Sequence, residues 1–412
     1  MAECLLTLSI IYLLLTQYGK TRWMFKYSFI TQFIVGWLII ELAWLHGLLS
    51  LAFIVMALGD FSGWSFGTLV GVGISIFNIQ RFWQLHQQGK DSASLIESEL
   101  TRELGDDYRD AIVDARKKTL GLSAENQWLK PFSFKSAQIE SIGSLQYGPY
   151  ERNTLDVFKP IKDSDTPRPV MLQIHGGGWV LGQGDKQGLP LRNKLVEAGW
   201  IFVSINYRLS PKDRFPAHLV DCKQALVWIK ENIANYGGDP NFIMTTGGSA
   251  GGHLCSLVAL TANREQALLQ PGFEDKDTTV QGAIPMYGVY DFTDRHLHRT
   301  EFSIEGFLEK TVMPESLSAN PALWEIASPV AQVHAERPPF LVLHGELDTL
   351  SFVEDARYFV RNLKSSSEQT CVYAELPVTQ HAFDMFYSPR CVEAVDAMHR
   401  FAEHTYSQYL KG

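Results

Sequence analysis

The sequence predicts an α/β protein, a mostly parallel sheet with helices on both faces, preceded by an apolar helical segment that enters a membrane. Three observations carry that prediction. Composition shifts sharply near Arg81, short apolar runs alternate with helical patterns from about Ile139 onward, and three of those runs end in residues with reactive chemistry.

From Leu5 to Ile79 the 412-residue chain is mostly apolar, with few ionisable groups. Residues 5–18 and 66–79 are candidate spans, and 28–58 is an apolar stretch broken by Glu41 and His46. A helix needs about 20 residues to cross the hydrocarbon. The middle stretch therefore reads as one tilted helix or as a pair hinged near His46-Gly47. Tyr18, Trp23, Tyr27, Trp64 and Trp83 stand where interfacial aromatics belong. Several successive apolar runs do not fit a signal peptide. Glu41 and His46 are read as helix packing or interface placement in preference to an intramembrane site.

Lys20, Arg22 and Lys26 follow the first run, and Arg81 and Lys90 follow the last. The positive-inside rule puts both clusters on the cytoplasmic side if two crossings lie between them. The expectation is an anchor of about three spans in residues 1–85 and a cytoplasmic catalytic domain in 138–412. Residues 86–137 form a helical linker or cap between them. Leu95, Ile96, Leu100, Leu104, Tyr108 and Ile112 recur there at helical spacing, predicting an amphipathic helix within 91–118. Its stripe packs on the domain, covers a cleft or lies on the bilayer.

A net charge of −9 offers no basic footprint for nucleic acid. Cys4, Cys222, Cys255, Cys371 and Cys391 lack any C-x-x-C spacing, which argues against both a disulfide framework and a zinc site.

Strands are predicted at 154–158, 170–174, 201–205, 242–246, 280–285, 340–343 and 372–374, and helices at 217–236, 251–262, 354–364 and 391–409. In open parallel sheets the ligand crevice lies beyond the carboxyl ends of the strands. The strand at 242–246 runs into Gly247-Gly248-Ser249-Ala250-Gly251, a strand-turn-helix setting that exposes a serine hydroxyl. The strand at 170–174 ends in His175-Gly176-Gly177-Gly178-Trp179. The backbone N–H groups of Gly176 and Gly177, with that of Ala250, are candidate donors to the oxyanion of an acyl-transfer intermediate.

An acid and a base follow. Asp348 comes after the strand at 340–343 and His381 further on, so Ser249, Asp348 and His381 occur in the order serine, acid, histidine. In that reading His381 takes the serine proton, and Asp348 fixes its tautomer. Glu346 and Asp384 are competing acids, and His344 and His253 are competing bases.

On these residues the chain from about 138 to 410 resembles the hormone-sensitive-lipase-like branch of the α/β-hydrolase esterases. The matching pieces are His175-Gly-Gly-Gly-Trp179, Asn206-Tyr207-Arg208-Leu209-Ser210-Pro211, Phe215-Pro216-Ala217, Asn235-Tyr236-Gly237-Gly238-Asp239-Pro240 and Gly248-Ser249-Ala250-Gly251-Gly252. The tail around Gln380-His381-Ala382-Phe383-Asp384 is similar to a membrane-tethered bacterial carboxylesterase subgroup. The resemblance implies hydrolysis of carboxylic esters without any cofactor. The apolar N-terminal segment adds the lipid bilayer as a partner and a small-molecule or lipid-like ester as the substrate, while charge and cysteine spacing leave no nucleic acid and no metal. Gly248 departs from the Asp of better-known members, and Lys212 from their usual Glu. The same triad also serves amides and methyl esters (deacetylase, formamidase and prenylcysteine methylesterase chemistry). A non-catalytic binding protein on this scaffold typically lacks a triad member.

Overall fold

The computed structural model describes residues 2–21, 28–59, 65–121, 126–297 and 304–412. Arg22, Trp23, Lys26, Tyr27 and Trp64, named above as interfacial or orienting residues, lie outside the described residues.

Eight strands form one sheet: β1 (Ile139–Gln146), β2 (Thr154–Pro160), β3 (Arg168–Ile174), β4 (Ile201–Asn206), β5 (Gly238–Gly248), β6 (Gly282–Met286), β7 (Phe340–Gly345) and β8 (Cys371–Leu376). Their order is β1-β2-β4-β3-β5-β6-β7-β8. Only the pairings made by β2 are antiparallel; β4 to β8 run parallel. The seven expected strands are all present. β1 is the addition, a mostly exposed edge strand with no buried residue, too polar to stand out in the sequence.

Helices of nine or more residues are numbered in chain order. Within the catalytic region they are α5 (Leu189–Glu197), α6 (Ala217–Asn232), α7 (Ala250–Leu260), α8 (Val353–Ser366) and α9 (Pro389–Lys411). The two faces of the sheet follow from the period of two in a strand. Val170, Leu172 and Ile174 of β3 point to a core shared with α6, α7 and α8, while Met171 points the other way to α5 and α9. β7 divides likewise, Phe340 and Val342 against Leu341 and Leu343. A one-residue slip would exchange the two sets, so the register is strongly specified.

The N-terminal helices are α1 (Ala2–Lys20), α2 (Phe29–Glu41), α3 (Ala43–Gly59) and α4 (Phe66–Leu104). Three expectations are corrected here. The hinge in the middle stretch falls at Leu42, where α2 and α3 meet at 77°, and His46-Gly47 lies inside α3. The last apolar run and the amphipathic helix are one continuous α4, so the division expected at residue 85 falls within a helix. That helix ends at Gly105, whose φ of 98° suits only glycine, and Tyr108 and Ile112 reach the domain from turns beyond it. Among the described residues no single helix is long and apolar enough to cross a membrane; only the bent α2–α3 pair passes by length and composition.

The stripe on α4 packs on the domain. Ile96 and Leu100 are buried in the core beneath α5 and α9, each burial contributing about 1.5–3 kcal/mol. A third core joins Ile39 and Ile40 of α2, Ala43 of α3, and Phe82 and Leu85 of α4 to Leu347 and Val378, which sit in the loops carrying Asp348 and His381.

Candidate active site

The carboxyl ends of β3 and β5 lie side by side, with Ile174 opposite Gly247, so the glycine loop and the serine turn are brought together by the sheet register. Ser249 sits between β5 and α7 at φ 59°, ψ −124°, a conformation that a non-glycine residue holds only when its surroundings enforce it. The enforcement is visible. Its N–H donates to the Met286 carbonyl at 3.0 Å, and its own carbonyl accepts from His253 N–H at 3.0 Å. A methyl group on Gly251 would stand 2.1 Å from the Ile174 carbonyl oxygen, so only glycine allows the close approach.

Asp348 is fully buried beyond β7. Its Oδ1 accepts from the N–H groups of Leu350 and Ser351, both at 2.8 Å, and its Oδ2 lies 2.7 Å from Nδ1 of His381. An ionised carboxylate only accepts, so the Nδ1–H donates and the proton-accepting Nε2 is turned to the far side of the ring. Burial by itself pushes the Asp348 carboxyl up; the charge and hydrogen bond of His381, then His344 and the Ser351 N–H, outweigh it and hold the group below its ordinary value.

The competing candidates fall elsewhere. Glu346 accepts from the Val378 N–H. Asp384 accepts from the Tyr287 hydroxyl, and its carboxyl is pushed up chiefly by burial. His344 is 3.5 Å from Asp348 but spends Nε2 on the Ser351 carbonyl at 2.9 Å. His253 bonds the Ala327 carbonyl and the Trp179 indole, and burial lowers it to about 3.

In the glycine loop, Gly176 lies against the elbow, where a built Cβ would be 3.2 Å from that of Ser249. Its N–H, however, donates to Gln187 Oε1 at 2.7 Å, so this expected donor is already engaged. Gly177, at φ 118°, has no room for a side chain beneath the Leu181 carbonyl. Ala250 begins α7, and a first-turn N–H has no partner within its own helix. Tyr207 stacks on His175 with centroids 4.2 Å apart and donates to its carbonyl at 2.9 Å, bracing the loop. Arg208 is paired with buried Asp221. Trp179 is core packing between His253 and Phe292.

Three residues at the site escaped the sequence reading. Gln187 holds Gly176. Tyr287 follows β6 directly, at a strand end of the kind that lines the ligand crevice in an open parallel sheet. Its ring lies 4.5 Å from that of His381, and its hydroxyl stands 2.4 Å from where a Cβ on Gly248 would be. The tyrosine therefore occupies the space that the departure from Asp leaves at Gly248, and it joins the serine turn to the histidine. Phe33 of α2 meets the His381 ring edge-on, centroids 5.8 Å apart; nothing in an apolar helix marks such a residue.

Sheet order, strand-end loops and the strained serine turn are those of an α/β hydrolase. Residues 155–363 match the BD-FAE family, and the chain belongs to it. It is 47% identical over 272 residues to the probable carboxylic ester hydrolase LipM of Mycobacterium tuberculosis, covering 66% of this chain and 62% of that protein. It is 45% identical to esterase LipQ of the same organism, over 65% of this chain and 63% of the relative. The probable isoprenylcysteine α-carbonyl methylesterase of Arabidopsis thaliana is 32% identical over 52% of this chain and 45% of its own. The chain thus spans about three-fifths of the length of the two mycobacterial relatives. A truncated carbohydrate esterase from gut microbiota shares the fold at 20% identity and a TM-score of 0.54, over 64% of this chain and 96% of that one.

Proposed function

We propose that this protein is a membrane-anchored serine hydrolase that cleaves carboxylic esters through an acyl-enzyme. The observation that carries the proposal is the 2.7 Å contact between His381 Nδ1 and buried Asp348, which leaves Nε2 as the base. Ser249 attacks the ester carbonyl while His381 takes its proton; the alcohol leaves with that proton, and water activated by the same histidine releases the acid. The oxyanion falls to the N–H groups of Gly177 and Ala250, since Gly176 is held by Gln187. No cofactor enters these steps.

Exposed apolar side chains support the anchor. Ile30, Ile34 and Leu38 line one face of α2, Val55 and Met56 lie on α3, and Ile10, Leu14, Leu69 and Ile76 on α1 and α4. A surface of this size needs an apolar environment, and a bilayer supplies it. Lys20 and Arg81 lie near enough to interact, so the ends of α1 and of the apolar part of α4 share one side. That supports a membrane anchor in residues 1–85 whose two basic ends lie on one side, formed by the helices together since no described helix is long and apolar enough to cross alone, with α2 lying along the catalytic domain. The linker of 86–137 and the hydrolase domain of 138–412 then lie on the cytoplasmic side. A bilayer location favours membrane-soluble esters.

The test is hydrolysis of p-nitrophenyl esters of graded acyl length, alongside a prenylcysteine methyl ester, by membranes carrying wild type or Ser249→Ala. Activity lost in the variant and an optimum among the acyl esters are expected. Preference for the methyl ester moves the substrate to the rival chemistry. No turnover and no fluorophosphonate labelling of folded wild type refutes the hydrolase reading.

A further inference from the structure

We propose that α2 is a wall of the active site and that Phe33 is a positioning residue for His381. The inference rests on the hydrolase reading above, in that it takes His381 as the base. It assigns to a helix otherwise read as part of an anchor a direct share in catalysis.

The contacts of α2 converge on the loops that carry the acid and the base. Thr349, next to Asp348, donates its hydroxyl to the Phe29 carbonyl at 3.1 Å. Gly36 lies so close to Gln380, next to His381, that a built Cβ would be 2.9 Å from Gln380 Cγ. The Trp37 ring packs on Phe386 at 5.1 Å. At the end of the helix Glu41 accepts from Arg390 Nη1 at 2.8 Å and from the Ser388 hydroxyl at 2.6 Å, with all three side chains buried. A carboxylate in an apolar helix is costly unless it is paired and fully hydrogen-bonded. Its partners here belong to the catalytic domain, so the helix is built to dock, and the docking fixes its rotation.

That rotation puts Phe33 edge-on to the imidazole at 85°, while Tyr287 lies against the same ring at 59°. Asp348 restrains Nδ1 but not tilt about that bond. Two aromatic rings from different parts of the chain limit the tilt, and the direction of Nε2 depends on it. A misdirected base slows proton transfer without weakening substrate binding, because ground-state contacts are unchanged.

The experiment compares full-length wild type, Phe33→Ala and Phe33→Leu in membranes, measuring kcat, KM, Tm and the rate of fluorophosphonate labelling. Phe33→Ala is expected to lower kcat and the labelling rate about tenfold, with KM changed less than about twofold. Tm should stay within about 2 °C. Phe33→Leu, which restores apolar cover, should recover most of the rate. An unchanged kcat in Phe33→Ala, or a loss that tracks a lowered Tm in both variants, overturns the proposal. Absence of labelling in wild type would instead refute the hydrolase reading, so the two failures are distinguishable.

Discussion

The two halves of this molecule treat apolar side chains in opposite ways. Every residue of β7 is buried, and its leucines, valine and phenylalanine divide cleanly between the two faces of the sheet. In α3, by contrast, Leu48, Leu51, Val55 and Met56 point outward, and the buried positions are Ala43, Ser50, Ile54 and Ala57. Mostly small residues inside and large apolar ones outside is the arrangement expected where the surroundings are lipid. Polar groups reverse the contrast. The catalytic region buries many, mostly paired locally, whereas the acid buried in α2 finds its partners across the boundary. The comparison teaches that the two halves present opposite kinds of surface yet share one seam, and that the seam lies at the candidate catalytic residues.

The largest effect should come from separating chemistry from architecture. Asp348→Asn keeps the shape of the buried site but removes the charge that fixes the His381 tautomer, and should lower kcat about 10⁴-fold. Association with membranes after an alkaline carbonate wash should be unchanged. A variant that loses both would show that the halves are not separable in this way. Next in size is the seam. Glu41→Ala leaves Arg390 charged and buried, which costs about 3–5 kcal/mol. The measurement is the Tm of the catalytic domain, followed through its tryptophans. An unchanged Tm would mean that the N-terminal helices are only tethered to the domain.

How much was legible in the sequence follows the same division. Short, nearly continuous apolar runs at 170–174 and 340–343 disclosed the strands because a sheet covered by helices on both faces buries successive residues. Ser249 and Asp348 stood out because each follows a strand end, and His381 because it completes the order serine, acid, histidine; the structure brings Asp348 and His381 into contact. The continuity of α4 was hidden because its polar and apolar halves read as separate elements. Gln187, Tyr287 and Phe33 were hidden because their roles come from contacts between distant segments. Gly248 was visible as a departure, but its meaning required Tyr287 in the space beside it.

That space gives a smaller prediction. Gly248→Ala would place a methyl group against the Tyr287 ring, which is held by Asp384 and cannot simply swing away. Overpacking of this kind costs about 1–3 kcal/mol. Gly248→Ala combined with Tyr287→Leu should recover part of the lost Tm. No recovery would mean that the strain lies in the serine turn and not beside the tyrosine.

A last prediction sharpens the contrast between paired and unpaired burial. Lys223 is buried in α6, and its ammonium donates to two neutral oxygens, the Thr261 carbonyl at 2.6 Å and Gln270 Oε1 at 3.2 Å. Burial lowers it from 10.5 to about 7. Below that value the lysine is charged in both folded and unfolded chains, and the folded state bears the desolvation cost in full. Between about 7 and 10.5 the unfolded chain binds a proton that the folded one does not. Stability should therefore rise with pH across that window, by about 1 kcal/mol per pH unit. Lys223→Met should raise Tm at pH 7 and flatten the rise, as read from thermal melts between pH 6 and 9. A slope that persists in Lys223→Met would have to come from another group.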